Sequence, residues 1–362
     1  MSSHNINTDN HILCSETEES DYSEISANEL LEMQMLMDPH FLKTTTMNEL
    51  YDGIYLHKPP IIENLLYPGT YLFVGSPKIG KSFFMAQLAY HVSTGQPLWG
   101  YPVRQGTVLY MALEDNFQRL QNRFYRMFGT EGTDHLHLAI TANQLSQGLC
   151  KQLNSFVEKH PNTLLIIIDT LQKIRAVGGE KYSYSADYAT IGELKQFTDR
   201  TGICLLLVHH TRKQWSEDVY ERTSGTNGLT GSADGSFFLD KEKRTDIRAT
   251  LTVTGRDQPE QKFHLIKNKE TLVWDLERAE TEIWKSPPDP ILEKLSLFIT
   301  NENPTWCGSP TELVEALALD MKPNAFTRHL NVKASELKSE YGIHYDNRAR
   351  NPGRRITLSK IT

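Results

Sequence analysis

Residues 75–82 read Gly75-Ser76-Pro77-Lys78-Ile79-Gly80-Lys81-Ser82, and this stretch decides the fold of the chain. It fits the pattern G-x-x-x-x-G-K-[ST] of a phosphate-binding P-loop. A short apolar run at 71–74 predicts a strand before the loop, and residues 83–89 predict a helix after it. Glycines allow such a loop to wrap phosphate groups, and the backbone N–H groups at a helix N-terminus face the anion.

The loop predicts a site for ATP and Mg²⁺. Lys81 would supply a point charge at the β- and γ-phosphates, and the hydroxyl of Ser82 is a ligand for Mg²⁺. The other residues expected to line the nucleotide belong to the loop or follow it directly: Gly75, Ser76, Pro77, Lys78, Ile79, Gly80 and Phe83. The flanking strand and helix patterns argue against the alternative, a glycine turn with an incidental lysine.

An acidic pair follows the next apolar run, at residues 108–113. A carboxylate at the carboxyl end of a parallel strand faces the ligand crevice, so Glu114 is a candidate for orienting an attacking water. The alternative is an acid that only begins the next turn. Asp115, followed by Asn116, is a candidate for capping a helix over about 116–128.

Two further strand ends carry polar side chains. Residues 164–168 are apolar on both faces and end in Asp169, the usual Walker B form, which predicts that Asp169 holds the Mg²⁺ shell. Residues 204–208 predict another buried strand, which ends in His209 and His210. A histidine there can touch the γ-phosphate and report its presence. A metal pair of the two histidines is disfavoured, because adjacent strand residues point to opposite faces.

The order of the motifs GSPKIGKS, LED, IIIID and VHHTRK resembles the RecA-like ATPases of the plasmid RepA helicase type. These are relatives of the DnaB-type hexameric replicative helicases, and the resemblance covers about residues 45–280. It implies an α/β fold with a RecA-like P-loop NTPase core. It also implies that Glu114 is the catalytic base and His210 the γ-phosphate sensor. The alternation of strand and helix patterns itself predicts a parallel sheet with crossover helices.

The arginine finger is the feature in which the chain departs from that family. Residues 225–234 match the loop where these helicases often read S-R-G-S, but Thr230 stands in place of the arginine. Related ATPases place a finger at the last strand, where this chain has Arg256. An arginine supplied by a neighbouring subunit would make hydrolysis depend on a ring. The alternative for Arg256 is a surface pair with Asp257.

A long polar segment covers residues 213–230 and overlaps the first part of the loop at 225–234. Loops of this length inside a compact domain are usually functional or disordered. The resemblance implies that this segment lines the pore of a ring and contacts single-stranded DNA.

Charge is distributed unevenly along the chain, although the formal net charge is only −7. Residues 1–40 contain nine acidic side chains and no Lys or Arg, whereas residues 321–362 contain nine Lys or Arg and three acids. The acidic start predicts a disordered tail with one short helical stretch near 28–37. The basic end indicates either an anionic partner or a solvated charged surface. The predicted domains are an acidic disordered tail (1–44), a RecA-like ATPase domain (45–280), a proline-containing linker (281–290) and a small domain (291–362).

The small domain is predicted to be a winged helix that binds DNA. Ser309 and Pro310 are an N-cap and a first helical residue for a helix over 311–319. Further helices are predicted at 323–330 and 333–341, the second being the candidate recognition helix, and a hairpin over 344–359 would be the wing. The cations suited to DNA phosphates are Lys338, Arg348, Arg350, Arg354 and Arg355. The alternative is a winged helix that docks a protein.

The remaining composition argues against several other classes. No apolar run approaches the roughly 18 residues that a membrane helix needs, and no signal pattern is present. The four cysteines are scattered without a C-x-x-C pair, which disfavours structural zinc and a disulfide framework. The expected location is therefore the cytoplasm.

These features together predict an ATP-hydrolysing, DNA-dependent motor. The most specific expectation is a hexameric, ring-forming replicative helicase of a plasmid, phage or integrated element, with single-stranded DNA in its pore and duplex DNA at the winged helix. One alternative is a RecA-like recombination or repair ATPase that forms filaments. The other is an ATP-gated DNA-binding regulator with little turnover.

Overall fold

The computed structural model describes residues 35, 37–175, 184–210, 231–243, 245–256, 259–281, 287–349 and 354–361. The chain forms two compact units. The large unit runs from Leu56 to Pro290, and the small unit combines Met1–Tyr55 with Ile291–Thr362. The predicted segment 213–230 lies outside the described residues, as does the helical stretch near 28–37 apart from Met35 and Met37.

Among the described residues, nine strands form the sheet of the large unit, in the order β3-β2-β4-β5-β1-β6-β7-β8-β9. The strands are β1 (Gly69–Gly75), β2 (Thr107–Ala112), β3 (Leu136–Ala139), β4 (Thr163–Asp169), β5 (Cys204–His210), β6 (Gly235–Asp240), β7 (Arg248–Gly255), β8 (Gln261–Lys267) and β9 (Trp274–Thr281). The first six in this order pair in parallel, and β6 to β9 pair antiparallel.

Helices are numbered along the whole chain. They are α1 (Met47–Asp52), α2 (Lys81–Thr94), α3 (Phe117–Phe128), α4 (Leu149–Lys159), α5 (Leu171–Ile174), α6 (Tyr184–Thr201), α7 (Pro290–Phe298), α8 (Pro310–Ala316) and α9 (Pro323–Tyr341). None of the described helices combines the length and the apolar character needed to cross a membrane.

The central strands are buried on both faces, as the sequence predicts for β4. Alternate residues of β4 enter two separate apolar clusters: Leu165 and Ile167 join the cluster that α2 covers, and Ile166 and Ile168 join the cluster of α4 and α6. Helices on both faces of parallel strands confirm the predicted α/β fold with crossover connections.

The predicted parallel sheet is extended at one side by three antiparallel strands, β7, β8 and β9. These strands follow β6 through short connections, and each pairs antiparallel with its predecessor. A short connection can join only antiparallel neighbours, because a parallel pair needs a crossover of a dozen or more residues.

The small unit has its own apolar core and a three-stranded antiparallel sheet in the order β10-β12-β11. Its strands are β10 (Thr305–Gly308), β11 (Ile343–Ala349) and β12 (Arg354–Lys360), so the predicted hairpin is confirmed outside its tip. Ser309 caps α8 in a capping box with Glu312, as predicted.

The two helices predicted at 323–330 and 333–341 are one continuous helix, α9. Pro323 is its first residue, where a missing N–H costs nothing, and Gly342 ends it with a left-handed φ of 62°. Between them no Pro or Gly interrupts the helix. Asn331, which lies between the two predicted helices, is a buried residue within α9.

The N-terminal boundary of the large unit also differs from the predicted domain start at residue 45. Helix α1 and the residues up to Tyr55 belong to the small unit. The side chain of Asn331 donates to the backbone oxygen of Tyr51 (2.9 Å), and Ile54 packs on the apolar core of the small unit. Long-range contacts of this kind leave no signal in the local sequence.

Candidate nucleotide site

Four neighbouring parallel strands end at one edge of the sheet. Gly75 at the end of β1 lies opposite His210 at the end of β5, and Ala112 at the end of β2 lies opposite Asp169 at the end of β4. Glu114 follows β2 by two residues. The register of the sheet therefore brings together the P-loop and the three predicted polar side chains, at the crevice where α/β sheets bind ligands.

Lys81 is buried beneath the P-loop. Its Nζ donates to the backbone oxygens of Gly75 (2.7 Å) and Ser76 (2.9 Å), which curls the loop around the ammonium group. Burial lowers the pKa of Lys81 to about 8, although Asp169 and Glu114 favour its charged form. A phosphate group would restore the preference for the charged form, because it adds a close negative charge.

The other loop residues divide into two sets. Ser76, Pro77 and Lys78 are exposed, so their side chains are open to a ligand or to solvent. Ile79 is 5% exposed and packs in the apolar core, so only its backbone is available to a nucleotide.

Gly80 is held in a conformation that favours glycine. It has a φ of 109° as the N-cap of α2, and a Cβ there would lie 2.8 Å from the indole ring of Trp274 on β9. The amide of Gln87 holds Trp274 in place by two hydrogen bonds to its backbone, of 2.7 and 2.9 Å. The last strand of the sheet therefore supports the P-loop from below.

Asp169 and Ser82 form a pair suited to Mg²⁺. The Ser82 hydroxyl bonds to the Asp169 carboxylate, and Tyr110 donates its hydroxyl to Asp169 Oδ2 (3.2 Å). Burial raises the pKa of Asp169, although these hydrogen bonds and the charges of Lys81 and His210 oppose the shift. A carboxylate whose charge is disfavoured by burial gains from a bound cation, and a hydroxyl plus a carboxylate are oxygen ligands that Mg²⁺ accepts. The residues present therefore fit this ion.

Glu114 lies between β4 and β5 at the mouth of the site. Its Oε1 accepts from the hydroxyl of Thr170 (3.3 Å), and its Oε2 lies 3.9 Å from His210 Nε2. The Glu114 side chain is 49% exposed, so water has access to it. Burial, and then the charge of Lys81, lowers the pKa of His210, which keeps its imidazole neutral at pH 7.

The adjacent acid, Asp115, is engaged elsewhere. Its carboxylate lies 2.6 Å from Arg123 Nη2 on α3 and 3.9 Å from Arg119 Nη1. The N-cap of α3 is Asn116, whose Oδ1 accepts from the backbone of Arg119 (2.9 Å). Of the two acids, Glu114 is the one available to a water molecule.

Comparisons with known proteins concern the domain and the fold that carry these residues. The model of the AAA domain family matches residues 42–216. A DnaB-like replicative helicase, in a structure concerned with its interactions with primase, is similar with a TM-score of 0.51 and 14% sequence identity, over 68% of this chain and 69% of that chain.

The large unit of this chain has a RecA-like P-loop fold.

Two further structures are similar at a lower level. One, the ATPase domain of another protein, has a TM-score of 0.47 and 15% identity, over 57% of this chain and 84% of its own. A KaiC-like protein from Pyrococcus horikoshii has a TM-score of 0.44 and 15% identity, over 62% of this chain and 99% of its own. Among curated proteins, none matches the sequence significantly.

Arg256 directly follows β7 in the large unit, away from the groups described above. It is exposed, its Nη2 donates to the backbone oxygen of Gly231 (3.2 Å), and its backbone N–H donates to Asp234 (2.9 Å). Its predicted alternative partner, Asp257, lies outside the described residues, as does Thr230. A role for Arg256 as a finger in a neighbouring subunit stays a prediction.

A cluster of cations lies beside Phe83, the residue that follows the P-loop serine. Lys267 Nζ lies 3.8 Å from the centroid of the Phe83 ring, and the guanidinium of Arg123 lies 5.2 Å from it. Burial lowers the pKa of Lys267 to about 8, and the charges of Lys241, Arg126 and Arg123 contribute to this shift. These cations repel one another, so a bound anion beside the P-loop would stabilise them.

Lys267→Met should raise the free energy of unfolding of the ligand-free protein at pH 7, by on the order of 1 kcal/mol after allowance for solvent screening. Methionine keeps the length of the side chain and removes a charge that three neighbours repel. Because the folded-state pKa is about 8 and the ordinary value is 10.5, the unfolded chain binds more protons between these values. Wild-type stability should therefore rise with pH across that window, and the variant should lack this rise.

Thermal unfolding at several pH values tests this expectation. Lys269→Met is the matched control, since Lys269 is an exposed cation two residues further along the chain. A variant at position 267 that is less stable than the control at pH 7 would contradict the expectation and show that the contact with Phe83 outweighs the repulsion.

Several residues of the large unit that support the candidate site left no recognisable signal in the sequence. Tyr110 reads as one apolar residue of a buried strand, yet its hydroxyl contacts Asp169. Lys267 and Trp274 reach the P-loop from strands that come much later in the chain. Thr170 is the exception, because its position directly after the Walker B acid places it at the strand end.

Proposed function

We propose that this chain is a DNA-dependent ATPase and acts as a ring-forming DNA helicase. The observation that carries the proposal is the meeting of Lys81, Ser82, Glu114, Asp169 and His210 at the carboxyl edge of four adjacent parallel strands. A phosphate-binding loop with its lysine, two ligands for Mg²⁺ and a solvent-accessible carboxylate that can orient water are the parts that hydrolysis of a nucleoside triphosphate uses. His210 adds a side chain that can sense the γ-phosphate.

In the proposed reaction, water attacks the γ-phosphate of ATP in line with the bond that breaks. Glu114 orients that water, and the Thr170 hydroxyl fixes one of its carboxylate oxygens. Lys81 stabilises the charge that develops on the phosphate oxygens. Mg²⁺, held by Ser82 and Asp169, would supply further stabilisation of this charge when bound. His210 lies within 4 Å of Glu114, so it can transmit the presence or absence of the γ-phosphate to β5.

The cations around Phe83 support the assignment of a highly charged substrate. Lys267 comes from β8 and Arg123 from α3, and both lie beside the ring of Phe83. We assign them to the nucleoside end of ATP, because Phe83 follows the serine of the loop.

A forked-duplex unwinding assay with ATP and Mg²⁺ tests the helicase proposal most directly. We expect ATP turnover that single-stranded DNA stimulates, and strand separation that depends on hydrolysis.

Electron microscopy with ATP and single-stranded DNA tests the assembly. We expect closed rings of six subunits, whereas helical filaments would favour the recombination type of ATPase. A protein that binds ATP and DNA but releases no phosphate would instead be an ATP-gated regulator. The proposed setting is the cytoplasm of a cell that carries a mobile element.

The small unit is proposed to be a winged-helix module that binds duplex DNA. In support, its element order α7, β10, α8, α9, β11, β12 gives three helices and a three-stranded antiparallel sheet with a terminal hairpin. The basic side chains Lys338, Arg348, Arg354 and Arg355 come from α9 and from this hairpin. Arg350, at the hairpin tip, lies outside the described residues.

The double variant Arg354→Ala, Arg355→Ala should weaken binding of duplex DNA and leave ATP turnover without DNA unchanged. The slope of log K against log salt concentration should become less negative by about 0.9 for each phosphate contact that is lost on a duplex. Titrations at several salt concentrations measure both quantities.

The matched control is Arg248→Ala with Arg278→Ala, which removes the same charge from exposed strand positions of the large unit. If both double variants weaken binding equally, only the net charge matters. An unchanged affinity and slope for the hairpin variant would remove DNA binding from the small unit and favour docking of a protein.

A further inference from the structure

The segment of residues 46–54, called the N-terminal segment here, is attached to the small unit largely by polar contacts. Its helix α1 begins with a capping box, in which Thr46 and Glu49 bond each other's backbone N–H groups, and α1 contains no buried residue. Such a short helix is marginal in isolation, so contacts with the rest of the unit must hold it.

Those contacts converge on the face formed by α9 and the hairpin. Asn331 of α9 is 1% exposed and donates to the backbone oxygen of Tyr51 (2.9 Å). The hydroxyl of Tyr345, on β11, donates to Asn331 Oδ1 (2.8 Å) and thereby fixes the orientation of that amide. The position of the N-terminal segment on this face is therefore specified by a buried hydrogen-bond chain rather than by a chance surface contact.

Asp52 places a carboxylate between two cations of the proposed DNA-binding face. Its Oδ1 lies 3.2 Å from Arg328 Nε on α9, and its Oδ2 lies 3.5 Å from Arg354 Nη2 on β12. A phosphate group offers the same acceptor oxygens and the same charge. Asp52 thus occupies the position of a phosphate that would bridge the helix and the hairpin.

The ion pairs of Asp52 are exchangeable. The three side chains are 36–46% exposed, and ion pairs that solvent reaches in this way are individually weak. A polyanion such as DNA can therefore compete with Asp52 for Arg328 and Arg354.

The chain before Asp52 adds negative charge of the same kind. Residues 1–54 contain eleven Asp or Glu side chains, one lysine, Lys43, and no arginine.

We propose that the N-terminal segment, residues 46–54, is an intramolecular competitor of duplex DNA: Asp52 occupies the cations of α9 and the hairpin, and the negative charge of the chain before it increases the competition. The inference rests on the proposed DNA binding by the small unit. Its consequence is that only a DNA that displaces the N-terminal segment engages both Arg328 and Arg354, so the protein discriminates against weak, nonspecific contacts.

The test is a fluorescence-anisotropy titration of the full chain with duplex DNA at one low salt concentration. Asp52→Asn keeps the shape of the side chain and should lower the Kd about three- to tenfold, the effect of releasing two exposed ion pairs. Glu302→Gln is the matched control, since it removes one exposed acid elsewhere in the small unit and should leave the Kd nearly unchanged. Deletion of residues 1–40 should lower the Kd as well, and ATP turnover without DNA should be the same in all four proteins.

A purely structural role for Asp52 predicts a different result, in which Asp52→Asn lowers the unfolding temperature and leaves the Kd unchanged or higher. That outcome would contradict the proposed competition between Asp52 and DNA. Hydrogen exchange of wild-type protein is the second measurement: DNA should accelerate exchange in residues 46–54, and unchanged protection would also overturn it. If neither the wild type nor any variant binds DNA, the proposed DNA binding by the small unit is wrong. The proposed competition is then wrong as well, because it depends on that binding.

Discussion

Lys81→Ala should abolish ATP hydrolysis, with a fall in turnover of at least about 10²- to 10³-fold, and should weaken ATP binding. The ammonium group of Lys81 is buried within the P-loop and bonds two of the loop's carbonyl oxygens. Alanine removes the charge that would meet the β- and γ-phosphates and also leaves these two carbonyl oxygens without their donor. Phosphate release and nucleotide binding, measured separately, check the two parts of the expectation.

The control for this variant is Lys151→Ala, which removes an exposed lysine from α4. It should turn over ATP at the wild-type rate. A thermal melt of Lys81→Ala distinguishes loss of chemistry from loss of fold. Wild-type turnover in a folded Lys81→Ala protein would disprove the assignment of the P-loop.

Glu114→Gln should bind ATP normally and hydrolyse it slowly, by a factor of roughly 10² or more. Glutamine keeps the size of the side chain and can still accept the hydrogen bond from Thr170. It lacks the negative charge that orients the attacking water. Single-turnover hydrolysis, compared with nucleotide affinity, measures the effect, because only the chemical step should change.

Asp115→Asn is the matched variant, one residue further along the chain. Asp115 is already paired with Arg123 at 2.6 Å, so its change should affect the position of α3 more than the rate of hydrolysis. If Asp115→Asn lost more turnover than Glu114→Gln, Asp115 rather than Glu114 would be the acid that orients the attacking water.

The sequence was sufficient to predict the parts of the fold that depend on local patterns. The apolar run 164–168 predicted a fully buried strand, and its neighbours in the sheet confirm it. Parallel strands end at the same edge of the sheet, so the sequence alone predicts that Glu114, Asp169 and His210 lie close together. Their roles in catalysis stay predictions until the variants are measured.

Features that depend on distant partners could not be predicted in this way. The docking of α1 on the small unit is set by Asn331, 280 residues later in the chain than its partner Tyr51. The antiparallel arrangement of β7 to β9 follows from connection lengths, which the strand patterns alone did not resolve. Within α9, Asn331 is 1% exposed and bonds Tyr51 and Tyr345, partners that the local sequence does not reveal.

The contact between Gly80 and Trp274 has a consequence for genetic suppression. Gly80→Ala would meet two obstacles, the indole ring at 2.8 Å and a φ of 109°. A smaller residue at position 274 would remove the first obstacle and leave the second, because an L-amino acid with a Cβ rarely adopts that conformation. Second-site revertants of Gly80→Ala should therefore not arise at Trp274, and reversion should require the glycine itself.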